Sequence, residues 1–252
     1  MSIKILKFNL SGQFAFFKNP EVNSNYYFTF NNIHKIALLG ILGSILGLKG
    51  YNQQGENEYP EFYDKLKDLS IAIVPKSDIC PNKKIQIFNN STMFHNKGSD
   101  SFGANLIVKE EWIENPSWDI YLQIDESNKI ESELLSRITE YRYVYVPYLG
   151  KNDHFANISD IEVFNENDVR VIEDSEFKVD SFYLKGNYKE IIDDWLKEGD
   201  NILRYREYLP FRLSNQTNHY EYEVVEYSTG EVEAIGDNTK TYNVNNVNIS
   251  FM

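Results

Sequence analysis

The sequence predicts an α+β fold: a ferredoxin-like, RRM-type domain carrying an inserted β-hairpin, followed by a smaller, mostly-β region. Three observations predict it. Residues 1–150 run in the order strand, helix, strand, hairpin, strand, helix, strand, which is the order of a split βαβ sandwich with an insertion. Two polar-centred strand signals between Cys80 and Val108 supply that insertion. Residues 156–252 look mostly β, with four strand-like stretches and one helix-like stretch among them. The boundaries that follow are 1–155 for the first domain, with its hairpin at about 80–108, and 156–252 for the second region.

Each element has its own warrant. "IKILKFNLSGQFAFF", residues 3–17, alternates and breaks at Ser11-Gly12, so it reads as a strand, a turn and further extended chain. "NYYFTF", residues 25–30, is a second extended, aromatic piece. Ile36 to Leu48 is apolar apart from glycine and Ser44 and reads as a helix that Lys49-Gly50 ends. "YPEFYDKLKDL" predicts a short helix, and "SIAIVP" a strand. "WDIYLQI" alternates as a strand, and "ESELLSRITEYR" places Leu134, Leu135 and Ile138 on one helical face. "YVYVPYLG", residues 143–150, predicts the strand that closes the first domain. In the second region "ISDIEVF", "VRVIED", "YEYEVVEY" and "VNISF" read as strands, and "YKEIIDDWLKEG", Tyr188 to Gly199, as a helix among them.

Composition excludes several function classes. A single cysteine, Cys80, rules out a disulfide framework and a CxxC metal knuckle. That, and an opening without a signal-peptide core, predicts a cytoplasmic protein. The thirteen residues from Ile36 to Leu48 fall short of the roughly 20 that a membrane span needs. The four histidines, His34, His95, His154 and His219, show no metal-binding spacing, so neither a metal nor another cofactor is expected. Net charge is −13, unevenly spread. Residues 1–110 hold 12 Lys/Arg and 9 Asp/Glu (+3), and residues 111–252 hold 13 and 29 (−16). The first part can face a polyanion; the second repels one unless its acids point away or meet a basic partner.

Two constellations suit a nucleic acid. Gly40, Gly43, Ser44 and Gly47 fall on one face of the apolar helix, at i, i+3, i+4 and i+7. Interior glycines cost about 1 kcal/mol each relative to alanine. Close packing offsets that, or a smooth face that lets a ligand approach, with Gly40 part of that face. His34 and Lys35 precede the helix, whose N-terminus favours an anion. The hairpin interleaves Lys83, Lys84, Phe94, His95 and Lys97, and cations among aromatics suit phosphates and splayed bases.

The chain resembles the fifth Cas protein family, the subunit at the crRNA 5′ end of type I CRISPR Cascade complexes, and within it the type I-B form. The resemblance lies in Gly12, Ala15, Phe17, Lys18 and Pro20, then in Ile33 to Gly47, in Asn115-Pro116 to Tyr121, and in "YLGKNDHFANI" from Tyr148 to Ile158 with Lys151. It departs where the family's proline pair becomes Ile33-His34 and its arginine becomes Lys35, which keeps charge but loses a bidentate fork. The resemblance implies a hairpin thumb and a non-catalytic subunit that caps the crRNA 5′ handle. It implies contact with the backbone and large subunits of the complex, target DNA reached only indirectly, and no membrane. The RNA-binding residues it suggests, with those above, are Lys18, His34, Lys35, Gly40, Lys83, Lys84, Phe94, His95, Lys97 and Lys151. A metal-independent endoribonuclease is the alternative, but the Tyr…Lys-His arrangement of cleaving relatives is not evident: Ile85 follows Lys83-Lys84, and Asn96 follows His95. A protein scaffold without RNA contact is a third reading.

Overall fold

The computed structural model describes residues 3–22, 26–91, 105–191, 202–215, 217–236 and 239–252. The chain opens with β1 (Ile3–Ser11) and β2 (Phe14–Ala15), then α1 (Lys35–Leu46), α2 (Glu61–Leu66) and β3 (Ile71–Pro75). A hairpin of β4 (Lys83–Ser91) and β5 (Asn105–Glu114) comes next, then β6 (Ser117–Asp125), α3 (Lys129–Thr139) and β7 (Asn157–Asn165). The rest is built of short strands: β8 (Val169–Val171), β9 (Tyr183–Leu184), β10 (Tyr188–Glu190), β11 (Arg204–Leu213), β12 (Tyr220–Ser228), β13 (Val232–Ala234), β14 (Thr241–Val244) and β15 (Val247–Ser250).

The main sheet has the order β3-β6-β1-β7, and every neighbouring pair is antiparallel. Leu6, Phe8 and Leu10 of β1 point to one face, where α1 and α3 cover them with Leu38, Leu42, Ile45, Leu134 and Ile138. Ile5 points to the other face and meets Ala72, Val74 and Tyr121, which Val244 and Ile249 of the β14–β15 hairpin cover. The sheet is thus buried on both sides. The fourth strand, β7, begins at Asn157, so the sheet crosses the 155/156 boundary read from the sequence.

Local chemistry sets the ends of α1. The His34 ring caps its start: Nδ1 accepts from the Ala37 N–H at 3.2 Å. At its end Gly47 takes φ +78°, and the N–H groups of Leu48 and Gly47 donate to the carbonyls of Gly43 and Ser44. That pair of bonds is a Schellman termination, so the helix stops before Lys49-Gly50. Gly43 and Gly40 differ in kind. A Cβ on Gly43 would lie 2.5 Å from Cβ of Phe62 in α2, while a Cβ on Gly40 would meet nothing within 4 Å. Gly40→Ala is therefore expected to stabilise the protein by about 1 kcal/mol through helix propensity, and Gly43→Ala to destabilise it by forcing α2 outward. Thermal unfolding of the two variants reads opposite shifts in Tm.

Three expectations need correction. Residues 143–150 form no strand. Their backbone is used elsewhere: the N–H groups of Val144 and Tyr145 donate to Ile45 and Ser44, capping carbonyls at the end of α1. Of the piece expected at 25–30, residues 26–30 are described, and they are extended only in part, with single bridges from Tyr27 to Glu110 and from Thr29 to Lys18. The helix expected from Tyr188 begins instead as β10, which pairs with β13 through Tyr188↔Ala234. Residues 192–199 of that expected helix lie outside the described residues. Two paired strands stand where the hairpin was expected, in register Lys83↔Ile113 to Ser91↔Asn105, but the second runs to Glu114, past the expected end near 108.

Candidate nucleic-acid interface

A groove of about 890 Å³ runs along α1. Its floor is the small-residue face of the helix, Ala37, Gly40 and Ser44. The Ser44 hydroxyl is turned back onto the Ile41 carbonyl at 2.7 Å, which leaves the floor smooth. One wall is the chain that follows β2, Phe16 to Lys18. Another is the segment after Gly47, with Lys49 and Tyr51. The third is the loop that replaces the expected strand, carrying Tyr145, Tyr148 and Lys151. Tyr51, Tyr145 and Tyr148 are 47%, 60% and 40% exposed, so their rings are open to a stacking partner.

Lys151 is held at the groove's edge by a buried network. Its ammonium donates to Glu110 Oε2 at 2.7 Å, and Trp112 Nε1 donates to the same oxygen at 2.8 Å. Glu110 is buried, and this pairing is what lets its carboxylate stay there. The ammonium also lies 5.1 Å from the Phe88 ring and 5.2 Å from Trp112. Phe88 and Trp112 come from β4 and β5, so the base of the hairpin helps build the groove. Lys18 reaches across the Tyr27 ring at 3.9 Å.

The structure gathers four of the predicted residues in this groove, Lys18, His34, Gly40 and Lys151, and places Lys35, Lys83 and Lys84 elsewhere. His34 lines it as a buried ring packed edge-on by Phe17, Phe30 and Tyr220. Burial lowers its pKa to about 3, so it is a neutral cap and not a cation. Lys35, expected beside it, does not line the groove. Its ammonium donates to the Met252 carbonyl at 3.1 Å and lies 4.8 Å from the Phe211 ring. Burial, helped by Arg212 and opposed by Asp68, lowers its pKa to about 8. The basic entry to the helix expected from the sequence is thus a neutral histidine and a lysine committed to a different surface. Lys83 is tied to Glu111 at 2.9 Å and to the Thr29 carbonyl at 3.2 Å, and Lys84 is exposed over the Phe14 ring. Phe94, His95 and Lys97 lie outside the described residues.

Sequence reasoning missed Lys49, Tyr51, Tyr145 and Tyr148. The signal for the last two was present in "YVYVPYLG", but it was spent on a strand. Among the described residues no group of His, Cys, Asp and Glu could hold a metal ion, and no helix is long and apolar enough to cross a membrane.

The fold and groove define an α+β protein with a cationic, aromatic cleft over a glycine floor. No protein-family model and no curated protein sequence matches the chain. Among solved structures it is similar to a chain of a CRISPR RNA-guided surveillance complex, at 12% identity and a TM-score of 0.52, over 91% of each chain. It is also similar to a CRISPR protein from Archaeoglobus fulgidus, at 14% identity, a TM-score of 0.48 and 98% coverage of both chains. A third structure, described as a Cas protein, matches at 10% identity and a TM-score of 0.44, over 91% of this chain and 95% of its own. At such identity the first of these shows a shared fold.

Proposed function

We propose that this protein is a non-catalytic subunit of a type I CRISPR surveillance complex, most like the I-B form, and that its α1 groove holds the crRNA 5′ handle. The observation that carries the reading is the groove itself. Three cations, Lys18, Lys49 and Lys151, and three exposed tyrosines surround a floor of small residues, Ala37, Gly40 and Ser44. Single-stranded RNA is held in this way, phosphates on cations and bases on rings. The fold likeness to a surveillance-complex chain supports the setting. The sheet order, with α1 and α3 between its strands, supports an RRM-type domain in which β4–β5 is the thumb. Because β14 and β15 cover the outer face of the sheet, the RNA is taken by the helix face. The backbone and large subunits of the complex are the protein partners on this reading, and target DNA is reached through them.

The test is anisotropy of a labelled repeat-derived RNA, in EDTA, with wild type and Gly40→Leu. Leucine at position 40 has free space to occupy, so the fold stands while the floor is filled. Affinity is expected to fall at least about tenfold, the loss of one stacked base or more. Lys18→Ala with Lys151→Ala is expected to lower the salt dependence as well. Unchanged affinity in Gly40→Leu would remove the groove from the RNA path. Discrete cleavage products in EDTA would replace capping with metal-independent processing.

A further inference from the structure

A second cleft, of about 610 Å³, opens between the β9–β10 turn and β11, and it shares no lining residue with the α1 groove. It lies in the half of the chain with net charge −16, yet its own charge is positive. Lys185, Lys189, Arg204 and Arg206 line it against two carboxylates, Glu190 and Glu226.

The carboxylates orient the cations and do not quench them. Arg204 and Arg206 are two apart on β11 and so share a face, about 7 Å apart along the strand. Arg204 Nε donates to both oxygens of Glu190, at 3.0 and 2.7 Å. Arg206 Nε donates to Glu226 Oε1 at 2.6 Å across the β11–β12 pair. Both glutamates are mostly buried, with side chains 21% and 15% exposed, while the arginine side chains are 52% and 64% exposed. Ser228 donates a further bond to Glu190 at 2.8 Å. Burial raises the Glu190 pKa, but the bonds from Arg204 and Ser228 outweigh it and hold the carboxyl below its usual value.

Each guanidinium is therefore gripped by Nε from below. Its two terminal nitrogens make no hydrogen bond among the described residues, on side chains that are more than half exposed. Lys185 and Lys189 are exposed and without an ion pair among the described residues. Tyr227, half-buried, supplies a ring at the wall. Outward planar forks with flanking ammonium groups match a phosphate, which takes two donors from each guanidinium. The volume is that of a small-ligand site, and the acidic surroundings disfavour a long polyanion lying across it.

We propose that this cleft binds a nucleotide through its phosphate, either a free nucleotide or the phosphorylated end of a strand. The phosphate is held by Arg204, Arg206 and the two lysines. The proposal stands apart from the handle groove and survives its failure.

Calorimetry at low salt with ATP, inorganic pyrophosphate, and a tetranucleotide RNA with and without a 5′-phosphate tests it. The proteins are Gly40→Leu, which has the groove filled, and the same chain with Lys185→Ala and Lys189→Ala or with Arg204→Lys and Arg206→Lys. Saturable binding of phosphate-bearing probes is expected in Gly40→Leu, weakened at least about tenfold by either pair, with Tm unchanged. Arginine to lysine keeps the charge, so its loss of binding would show that the forks matter. Tighter binding of the phosphorylated tetranucleotide identifies a strand end; tighter binding of ATP identifies a free nucleotide. Equal affinity of the two tetranucleotides together with no tighter binding of ATP, no saturable binding of any phosphate-bearing probe, or binding indifferent to all four cleft substitutions would overturn the proposal.

Discussion

Replacing Gly150 with alanine is expected to destabilise the protein by roughly 3 kcal/mol or more, a loss that denaturant unfolding would read as a lowered midpoint at unchanged slope. Two costs add. Gly150 has φ +87°, where an L residue loses about 1–2 kcal/mol. Its Cβ would also stand 1.9 Å from the Phe16 carbonyl oxygen and 2.7 Å from its carbon, both backbone atoms. Relieving such overpacking costs about 1–3 kcal/mol. The backbone can yield only by separating Phe16 from Leu149, which are joined by the Phe16 N–H bond to the Leu149 carbonyl at 3.0 Å. That separation would carry Lys151 away from Glu110 and open the groove's wall, so under the proposed function RNA affinity falls with stability. A loss under about 1 kcal/mol would mean that the two segments move apart freely, and that the groove is not built by this contact.

Much of the fold was legible in the sequence because its strands are two-sided. The alternation in β1 and β6 and the apolar runs of β3 and α1 report burial directly. The segment at 143–150 failed for the same reason that it was read as a strand. Tyr and Val favour strands because they fit a half-buried pleated surface, but Val144, Tyr145 and Val146 are exposed and the N–H groups of Val144 and Tyr145 cap a helix. Chain-local pattern does not say which backbone partner wins. The site was legible in part. Gly40 and Lys151 were found, but spacing alone placed His34 and Lys35 together at a helix end. Which of them is buried, and on which side, depends on Tyr220, Phe211 and Met252, distant in sequence. The Lys151–Glu110 pair joins residues 41 apart and leaves no trace in either local stretch.

The burial of His34 has a consequence for pH that distinguishes a neutral cap from a phosphate-binding cation. Its pKa is about 3 in the folded protein and about 6.5 in an unfolded chain. Between those values the unfolded state binds more protons, so stability falls as pH falls through that window. By pH 4 the loss from this residue is about 3 kcal/mol. The comparison is with His34→Asn, which can accept the Ala37 N–H as a cap but does not titrate. Asparagine gives up ring contacts with Phe17, Phe30 and Tyr220, so this variant starts less stable at pH 7. The decisive reading is the slope of unfolding free energy between pH 7 and pH 4, which is shallower in His34→Asn. His154, also lowered by burial, and Glu207, raised by burial, contribute to both proteins and cancel in the difference. Equal slopes would mean that the His34 imidazole charges freely in the folded state. It would then be a cation at the mouth of α1, and the helix entry would be the phosphate site that the sequence suggested.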